Sequence, residues 1–340
     1  MTASPQLPSW GRLGRFGRLG RLATHPVTRR VAEAVLTLIG VSVLTFVVLR
    51  VLPGDQITAA YGTDAGDLTG AQRAQLRSYY GLDRPLTGQY LSWLGGILTG
   101  NLGFSSNAGE SVAHLTAHAL PVTLELAVLA IVLALLLGVA GGLLAASRPG
   151  ALRDGATQAV SLLALSAPVF LTGTVLARVL ADSFGWNPNG RAYAPLTGDL
   201  LLNLQQMVLP ALVLGVSIAS PIAQTTRTAI LDIRGEDFIN TARAKGVPER
   251  ALQVRHVLRN ALIPVVTMSG LQFGFLLGGA VVVEQVFSLP GIGRQVLLGM
   301  GQKEYAVVQS TVLVIAVLFV LVNLATDLVY RLVDPRVWSR

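Results

Sequence analysis

The sequence predicts an all-α polytopic membrane protein with six transmembrane helices. Composition, the length of the apolar runs and the placement of charge carry that prediction. Of 340 residues, 52% are hydrophobic and only 13% are charged, and the mean hydropathy is +0.58. A soluble globular domain carries about 25% charged residues, so this chain has too few to coat a soluble surface of its size. A bilayer core needs roughly 20 apolar residues per helix. Six stretches qualify: Val31–Leu52, Ala119–Ser147, Thr157–Ala181, Met207–Leu231, Ala261–Phe287 and Val308–Tyr330.

Basic residues sort unevenly among the segments between these spans. Eighteen of the 26 Lys+Arg fall before Val31, between spans two and three, around the link between spans four and five, and after span six. The other links hold six: Arg73, Arg77, Arg84, Arg191, Arg294 and Lys303. The positive-inside rule therefore places both termini in the cytoplasm. The net charge of +8 reads as topology. A nucleic-acid surface would gather its charge on one compact face with aromatics interleaved, a pattern this sequence lacks. Zero Cys excludes disulfides, zinc–thiolate and iron–sulfur sites, and a thiol nucleophile. No G-x-x-x-x-G-K-S/T loop occurs, so ATP hydrolysis is not expected from this chain itself.

Residues 1–30 form a basic cytoplasmic tail with four triplets, Gly11-Arg12-Leu13 through Gly20-Arg21-Leu22. Arginines there suit an anionic lipid surface, at about 1 kcal/mol each. The plainer reading is a flexible tail that only fixes orientation, because its glycines weaken any helix. Residues 31–52 make the first transmembrane helix. Its apolar run is too long for a cleaved signal, and Leu52-Pro53-Gly54-Asp55 is no cleavage site.

Residues 53–118 are expected to form an extracytoplasmic helical cap. Thr69-Gly70-Ala71-Gln72 has the form of a capping box, opening a helix that runs to about Tyr80 and stops at Gly81. A second amphipathic stretch follows Pro85, with Tyr90, Leu91, Trp93, Leu94, Ile97 and Leu98, and its aromatics suit the membrane interface. Such a cap is either a docking surface for an external partner or a lid packed on the bundle.

Residues 119–331 make a five-helix transmembrane core, followed by a cytoplasmic tail, 332–340. Within the core, the loop 232–260 reads as a short helix, Asp237 to Lys245, stopped at Gly246, with Pro248 starting another turn. Ser288-Leu289-Pro290-Gly291-Ile292-Gly293-Arg294 and Gly299 to Tyr305 read as a re-entrant or surface loop, from their density of Gly and Pro. Gly138 and Gly142, and Gly270, Gly274 and Gly278, allow close helix approach. Pro168, Pro210, Pro221 and Pro264 are expected to kink their helices.

Charges at mid-bilayer cost about 2.5–3.5 kcal/mol on the insertion scale, so each needs a reason. Arg50, Arg178, Asp182 and Asp327 lie near span ends and can snorkel; Arg178 and Asp182, four apart, also suit a simple pair. Glu125 and Glu284 are candidates to face a cavity or an inter-helix contact. Gln272 and Asn323 either line a path or bond a neighbouring helix. A serine-hydrolase reading of Gly40-Val41-Ser42-Val43 fails, because such a nucleophile needs a base within reach. The four His (His25, His114, His118 and His256) lie outside the spans, and no span contains Lys. A secondary transporter remains a remote alternative, normally marked by inverted repeats and interrupted helices.

Four segments in order resemble one family. Thr241-Ala242-Arg243-Ala244-Lys245-Gly246, followed by Arg255-His256 and Arg259-Asn260-Ala261-Leu262-Ile263-Pro264, resembles the coupling loop, or EAA motif, of bacterial ABC-importer permeases. Gly81-Leu82-Asp83-Arg84-Pro85 with Gln89-Tyr90 and Trp93-Leu94, then Asn101-Leu102-Gly103-Phe104-Ser105, then Glu284-Gln285-Val286-Phe287-Ser288-Leu289-Pro290-Gly291-Ile292-Gly293 are similar to its dipeptide/oligopeptide branch. The resemblance runs from about Thr28 to Trp338. The long link after span one and the Leu52-Pro53-Gly54-Asp55 turn look like the B-type subunit. Three positions depart: Asn240 stands for the general motif's glutamate, Asn101 for a frequent Asp, and Lys303-Glu304-Tyr305-Ala306 lacks the family's Pro.

The resemblance implies the type I ABC importer permease fold in a bacterial cell membrane and transport by alternating access. It implies a second, C-type permease, two ATPases or a fused one, and an extracytoplasmic substrate-binding protein. Apart from these, surrounding membrane lipid is the expected contact, and nucleic acid is not. The chain would carry no cofactor, with ATP and Mg on the ATPase subunits. Residues Thr241, Ala242, Arg243, Ala244, Lys245 and Gly246 would couple to the ATPases, with Ala242 and Ala244 keeping the helix thin and Arg243 and Lys245 meeting acids there. Glu125, Gln272, Glu284 and Asn323 are the candidates for the translocation path. Short peptides are the expected cargo; a nickel chelate or haem is compatible with the same mechanism.

Overall fold

The computed structural model describes residues 26–51, 57, 66–79 and 81–333. The Gly-Arg-Leu/Phe tail, the Leu52-Pro53-Gly54-Asp55 turn and the C-terminal tail lie outside these residues, as does the side chain of Asp327. Among the described residues, five helices are long and apolar enough to cross a membrane, and a pair of shorter apolar helices bent at 99° gives a sixth crossing when the two are counted as one broken span. The first crossing is α1 (Pro26–Val51), a peripheral helix whose apolar residues point mostly outward. The short helices α2 (Gly70–Tyr79) and α3 (Leu86–Leu98) follow. The expected capping box opens α2: the Thr69 N–H donates to Gln72 Oε1 at 2.9 Å, and the Gln72 N–H returns to Thr69 Oγ1 at 3.4 Å. Gly81, at φ +65°, ends that turn.

A two-stranded hairpin, β1 (Phe104–Ser105) paired antiparallel with β2 (Glu110–Ser111), leads into α4 (Val112–Ser147). Ser111 caps α4 by accepting the His114 N–H. The core is α4 packed along α7 (Leu200–Arg234), with Leu126, Ala130, Ala134, Met207, Ala211 and Ile222 fully enclosed. Small residues bring the two backbones together. A Cβ at Gly138 would come within 2.8 Å of the Ala219 carbonyl, and one at Gly142 within 2.7 Å of the Ala223 carbonyl. The four-residue glycine spacing of span two is therefore a helix–helix contact within this chain. In span five, Gly270 and Gly274 meet Thr326 and Phe319 of the last helix, whereas Gly278 faces open space.

Three expectations need correcting. Span three is not one helix: α5 (Leu152–Ser166) and α6 (Val169–Phe184) meet at 99°. Pro168 is the reason. It disfavours helical geometry at Ala167, which sits extended at ψ 122°, so the chain turns there rather than bending gently. Pro210, Pro221 and Pro264 instead stay inside continuous helices.

The link after span four is also shorter than 232–260. It contains α8 (Asp237–Ala244), after which α9 (Glu249–Ala251), a π-helical turn (Leu252–Leu258) and α10 (Arg259–Val286) run on as one continuous helical segment. Finally, the Gly-rich stretch after span five is not a plain loop. It holds α11 (Ile292–Gly301), ahead of α12 (Tyr305–Val333).

Candidate functional site

Two sites stand at opposite ends of the bundle, separated by the length of α4, about 50 Å at 1.5 Å per residue. The first is the face around α8. Its sequence places one large apolar side chain inward: Ile239 is fully buried among Ala146, Ala229, Ile230, Leu252, Val257 and Ala261. Ala242 and Val247 pack against the same cluster. Thr241, Arg243, Ala244, Lys245 and Gly246 are exposed, as is Phe238. Ala242 is thus part of the seat of the helix, and Ala244 lies on its open side.

Gly246 ends α8 at φ +80°, a left-handed conformation that costs a residue with a Cβ roughly 1–2 kcal/mol. Nothing lies within 4 Å of where its Cβ would be, so the constraint is the backbone alone. Arg243 already has partners within the chain. It donates to Asn240 Oδ1 at 3.2 Å and to the Glu249 carboxylate at 3.3 and 3.4 Å. Both ends of that ion pair are about half exposed, so it is weak and exchangeable. Lys245 is exposed on the same side.

Two arginines of α7 brace this end. Arg227 makes a bidentate pair with Asp154 of α5, at 2.6 and 2.7 Å, and the Asp154 side chain is almost completely enclosed. That carboxylate also accepts the Gly150 N–H and the Gln158 amide. Arg234 donates to the Ala146 carbonyl at the end of α4 and to Gln253 Oε1 at 2.8 Å in the π-helical turn. The sequence reading missed Asp154. Its signal was an acid in the first turn of an apolar helix, opposite an Arg that counted only as loop charge.

The second site is a cavity of about 670 Å³ at the other end. The hairpin, the first turns of α4, the loop around Tyr193, and α11 enclose it. Its exposed lining is mostly apolar, and the charged or titratable groups on it include Glu110, His118, Tyr193, Arg294 and Glu304, beside the neutral polar Ser105, Asn107, Gln295 and Gln302. Glu304 ties the hairpin down, accepting from Ser105 Oγ at 2.7 Å and from the Asn107 N–H at 2.9 Å. His118 contacts His114 ring to ring at 3.1 Å, and His114 in turn meets Glu110 at 2.5 Å.

Of the four path candidates, Glu284 and Glu125 are placed by clear networks. Glu284 does not line the cavity; it is fully buried behind the cavity's Gly291 wall. It accepts from Thr123 Oγ1 at 2.5 Å and from the Arg294 N–H at 2.9 Å, and the Gly293 N–H also points at it. Thr123 accepts the Ile292 N–H at 2.9 Å. The carboxylate thus sits on the N-terminus of α11, where the helix dipole and unpaired N–H groups favour an anion. Gly291 is required beside it, because a Cβ there would strike the carboxyl group.

Glu125 is half-buried and accepts from Tyr193 Oη at 2.9 Å and from Asn203 at 3.4 Å, while its Oε1 has no partner. It lies one turn beyond Val122, a lining residue. Burial, then the adjoining Glu125 carboxylate, pushes the Tyr193 phenol well above its ordinary range. Gln206 holds the loop carrying Tyr193, bonding Pro188, Ala192 and Ala194 main-chain groups. Gln272 is half-buried and Asn323 exposed, and neither lines the cavity.

Comparison with known proteins fits this architecture. Residues 138–339 match the model of the binding-protein-dependent transport system inner membrane component, and residues 24–127 match the N-terminal model of the same group. The chain is 38% identical to the di/tripeptide transport system permease protein DppB of Pseudomonas aeruginosa, covering 92% of this chain and 98% of that one. It is 37% identical to the glutathione transport system permease protein GsiC of Escherichia coli O6:H1, with the same coverages. It is 36% identical, again with 92% and 98% covered, to the oligopeptide transport system permease protein AppB of Bacillus subtilis. The chain therefore belongs to the binding-protein-dependent transport system inner membrane components, in the dipeptide/oligopeptide branch of the ABC-importer permeases.

Proposed function

We propose that this chain is one of two permease subunits in an ATP-driven importer that carries short peptides into the cytoplasm by alternating access. The single observation that supports this most is the split face of α8. Ile239 locks the helix onto the ends of α4, α7 and α10, while Phe238, Thr241, Arg243, Ala244 and Lys245 are left for a soluble partner. A short helix fixed on a bundle and exposed on one side is the form that fits a groove. Its rigid seat lets a push on α8 reach the spanning helices directly. The partner would be an ATPase subunit, with ATP and Mg held there.

The cavity at the opposite end would then be the external half of the path. A substrate-binding protein would deliver cargo to it, and a C-type permease would complete its wall. The mostly apolar lining suits varied peptide side chains, and Glu125, hydrogen-bonded to the lining residue Tyr193, stands just behind that wall. Peptide cargo is favoured by the names of the di/tripeptide and oligopeptide relatives.

The test is made on the whole complex, co-expressed with its neighbouring genes and reconstituted in nanodiscs. Loaded binding protein should stimulate ATPase activity with di- to pentapeptides and not with nickel. Stimulation by nickel alone overturns the cargo, and failure of any ATPase to co-purify overturns the mechanism. Gly246→Asp should insert normally yet lose most peptide-stimulated ATPase activity and uptake, because it strains the backbone that ends α8. Normal uptake by that variant removes the coupling role.

A further inference from the structure

The first two turns of α4 carry a histidine pair that the coupling face does not use. His114 and His118 stand one turn apart on one side of that helix, and their Nε2 atoms are 3.1 Å apart. The rings meet edge to face, with centroids 4.4 Å apart. On its other side, His114 turns Nδ1 to the carboxylate of Glu110, on strand β2, at 2.5 Å. Both histidines are exposed. Glu110 and His118 line the large cavity, so the pair stands at its rim.

An ionised carboxylate only accepts, so Glu110 draws the His114 proton onto Nδ1 and leaves Nε2 a bare lone pair facing His118. His118 can fill that contact by donating its own Nε2–H, but an exposed hydrogen bond between neutral rings gains little over water. Two imidazole nitrogens at this separation match a shared cation better. With metal–nitrogen bonds of about 2.0–2.1 Å, two ligand nitrogens on a tetrahedral or octahedral ion lie about 2.9–3.4 Å apart. Four-residue spacing on a helix is what brings both to one side of the ion. The carboxylate behind His114 is the outer partner that a metal-bound histidine takes, fixing its tautomer and raising its basicity. Imidazole suits zinc, copper and nickel, whereas magnesium takes oxygen ligands. The charged lining also suits a cation, with Glu110 and Glu304 against Arg294. Among the described residues no group of three or more His, Asp and Glu is arranged to hold a metal ion. The pair therefore supplies two ligands, and the remaining positions stay open to water or to a donor in the cavity.

We propose that His114 and His118 together bind one zinc-class divalent cation at the rim of the cavity, with Glu110 as the positioning residue that orients His114. The site uses only this chain's residues and is independent of the cargo.

The test measures zinc binding to the full chain, purified through a histidine-free tag and without nucleotide, by competition with a chromophoric chelator. His114→Gln and His118→Gln should each lose one zinc per chain. Glu110→Gln should keep the site but weaken it about 10–100-fold. An unchanged size-exclusion profile checks that the variants fold. Copper(II) bound to wild type in place of zinc should show two-nitrogen superhyperfine splitting in its paramagnetic resonance spectrum. A pair that is only hydrogen-bonded leaves zinc stoichiometry unmoved by both histidine substitutions, and that result overturns the proposal. A wild-type copper spectrum with oxygen ligands alone overturns it without any variant, as does displacement of the zinc by equimolar magnesium. Glu110→Gln binding zinc as tightly as wild type overturns the positioning role.

Discussion

At the scale of single residues, the two intramembrane glutamates do different work, and their neighbours separate them. Glu284 is satisfied on every side by Thr123 and by the first N–H groups of α11. It is a positioning residue, fixing the helix that supplies Arg294, Gln295 and Leu298 to the cavity wall. Glu284→Gln puts an amide N–H₂ among donors, so about 1–3 kcal/mol of stability should be lost. The thermal midpoint of the reconstituted complex should fall, with transport by the surviving fraction near normal. An unchanged midpoint would refute the capping role. Glu125 has one oxygen left over. Glu125→Gln should leave stability nearly unchanged and raise the apparent KM for peptide uptake about 10-fold, the size of one hydrogen bond to a charged group. An unaltered KM would take Glu125 off the path.

At the scale of elements, packing between α4 and α7 sets a limit that substitution can probe. Gly142→Val must push against Thr226 and the Ala223 carbonyl, while Gly278→Val meets open space within the chain. The first should abolish recovery of folded complex and the second should leave the folded subunit intact, read by fluorescence size-exclusion chromatography. Both glycines were legible in the sequence as four-residue spacings, but which spacing packed on which helix was not, because spacing names a face and not its partner. The same limit explains span three. Its apolar length was legible, yet the consequence of Pro168 depended on whether Ala167 would stay helical. It also explains α11, whose Gly291 and Gly293 read as loop glycines. The structure uses Gly291 for clearance beside Glu284, and Gly293 for close approach to Val281. By contrast, α8 was legible to within one residue at its end, since Asp237 in its first turn and Gly246 just past its last are local signals, whereas the inward role of Ile239 was not read.

At the scale of the whole molecule, the arrangement has a polarity that one experiment can read. The face around α8 and the cavity under the hairpin lie about 50 Å apart, and charge distinguishes the two ends. Arg148, Arg153, Arg227, Arg234, Arg243, Lys245, Arg250 and Arg255 outnumber the acids on segments at the α8 end, while Glu110 and Glu304 stand with Arg294 at the cavity. The positive-inside rule then points α8 into the cytoplasm and the hairpin outward. The proposed alternating access would need this polarity, since cargo would meet the cavity on one side and an ATPase would meet α8 on the other. The absence of Cys makes the question direct, because a single introduced thiol is the only reactive one in the chain. Ser106→Cys, on the exposed turn of the hairpin, should react with a membrane-impermeant maleimide in intact spheroplasts. Ala244→Cys, on the open side of α8, should react only after permeabilisation. Loaded binding protein added outside should slow labelling at position 106 and leave position 244 unaffected, while ATPase binding should do the reverse. Labelling of position 244 from outside would invert the molecule, and with it the assignment of both sites.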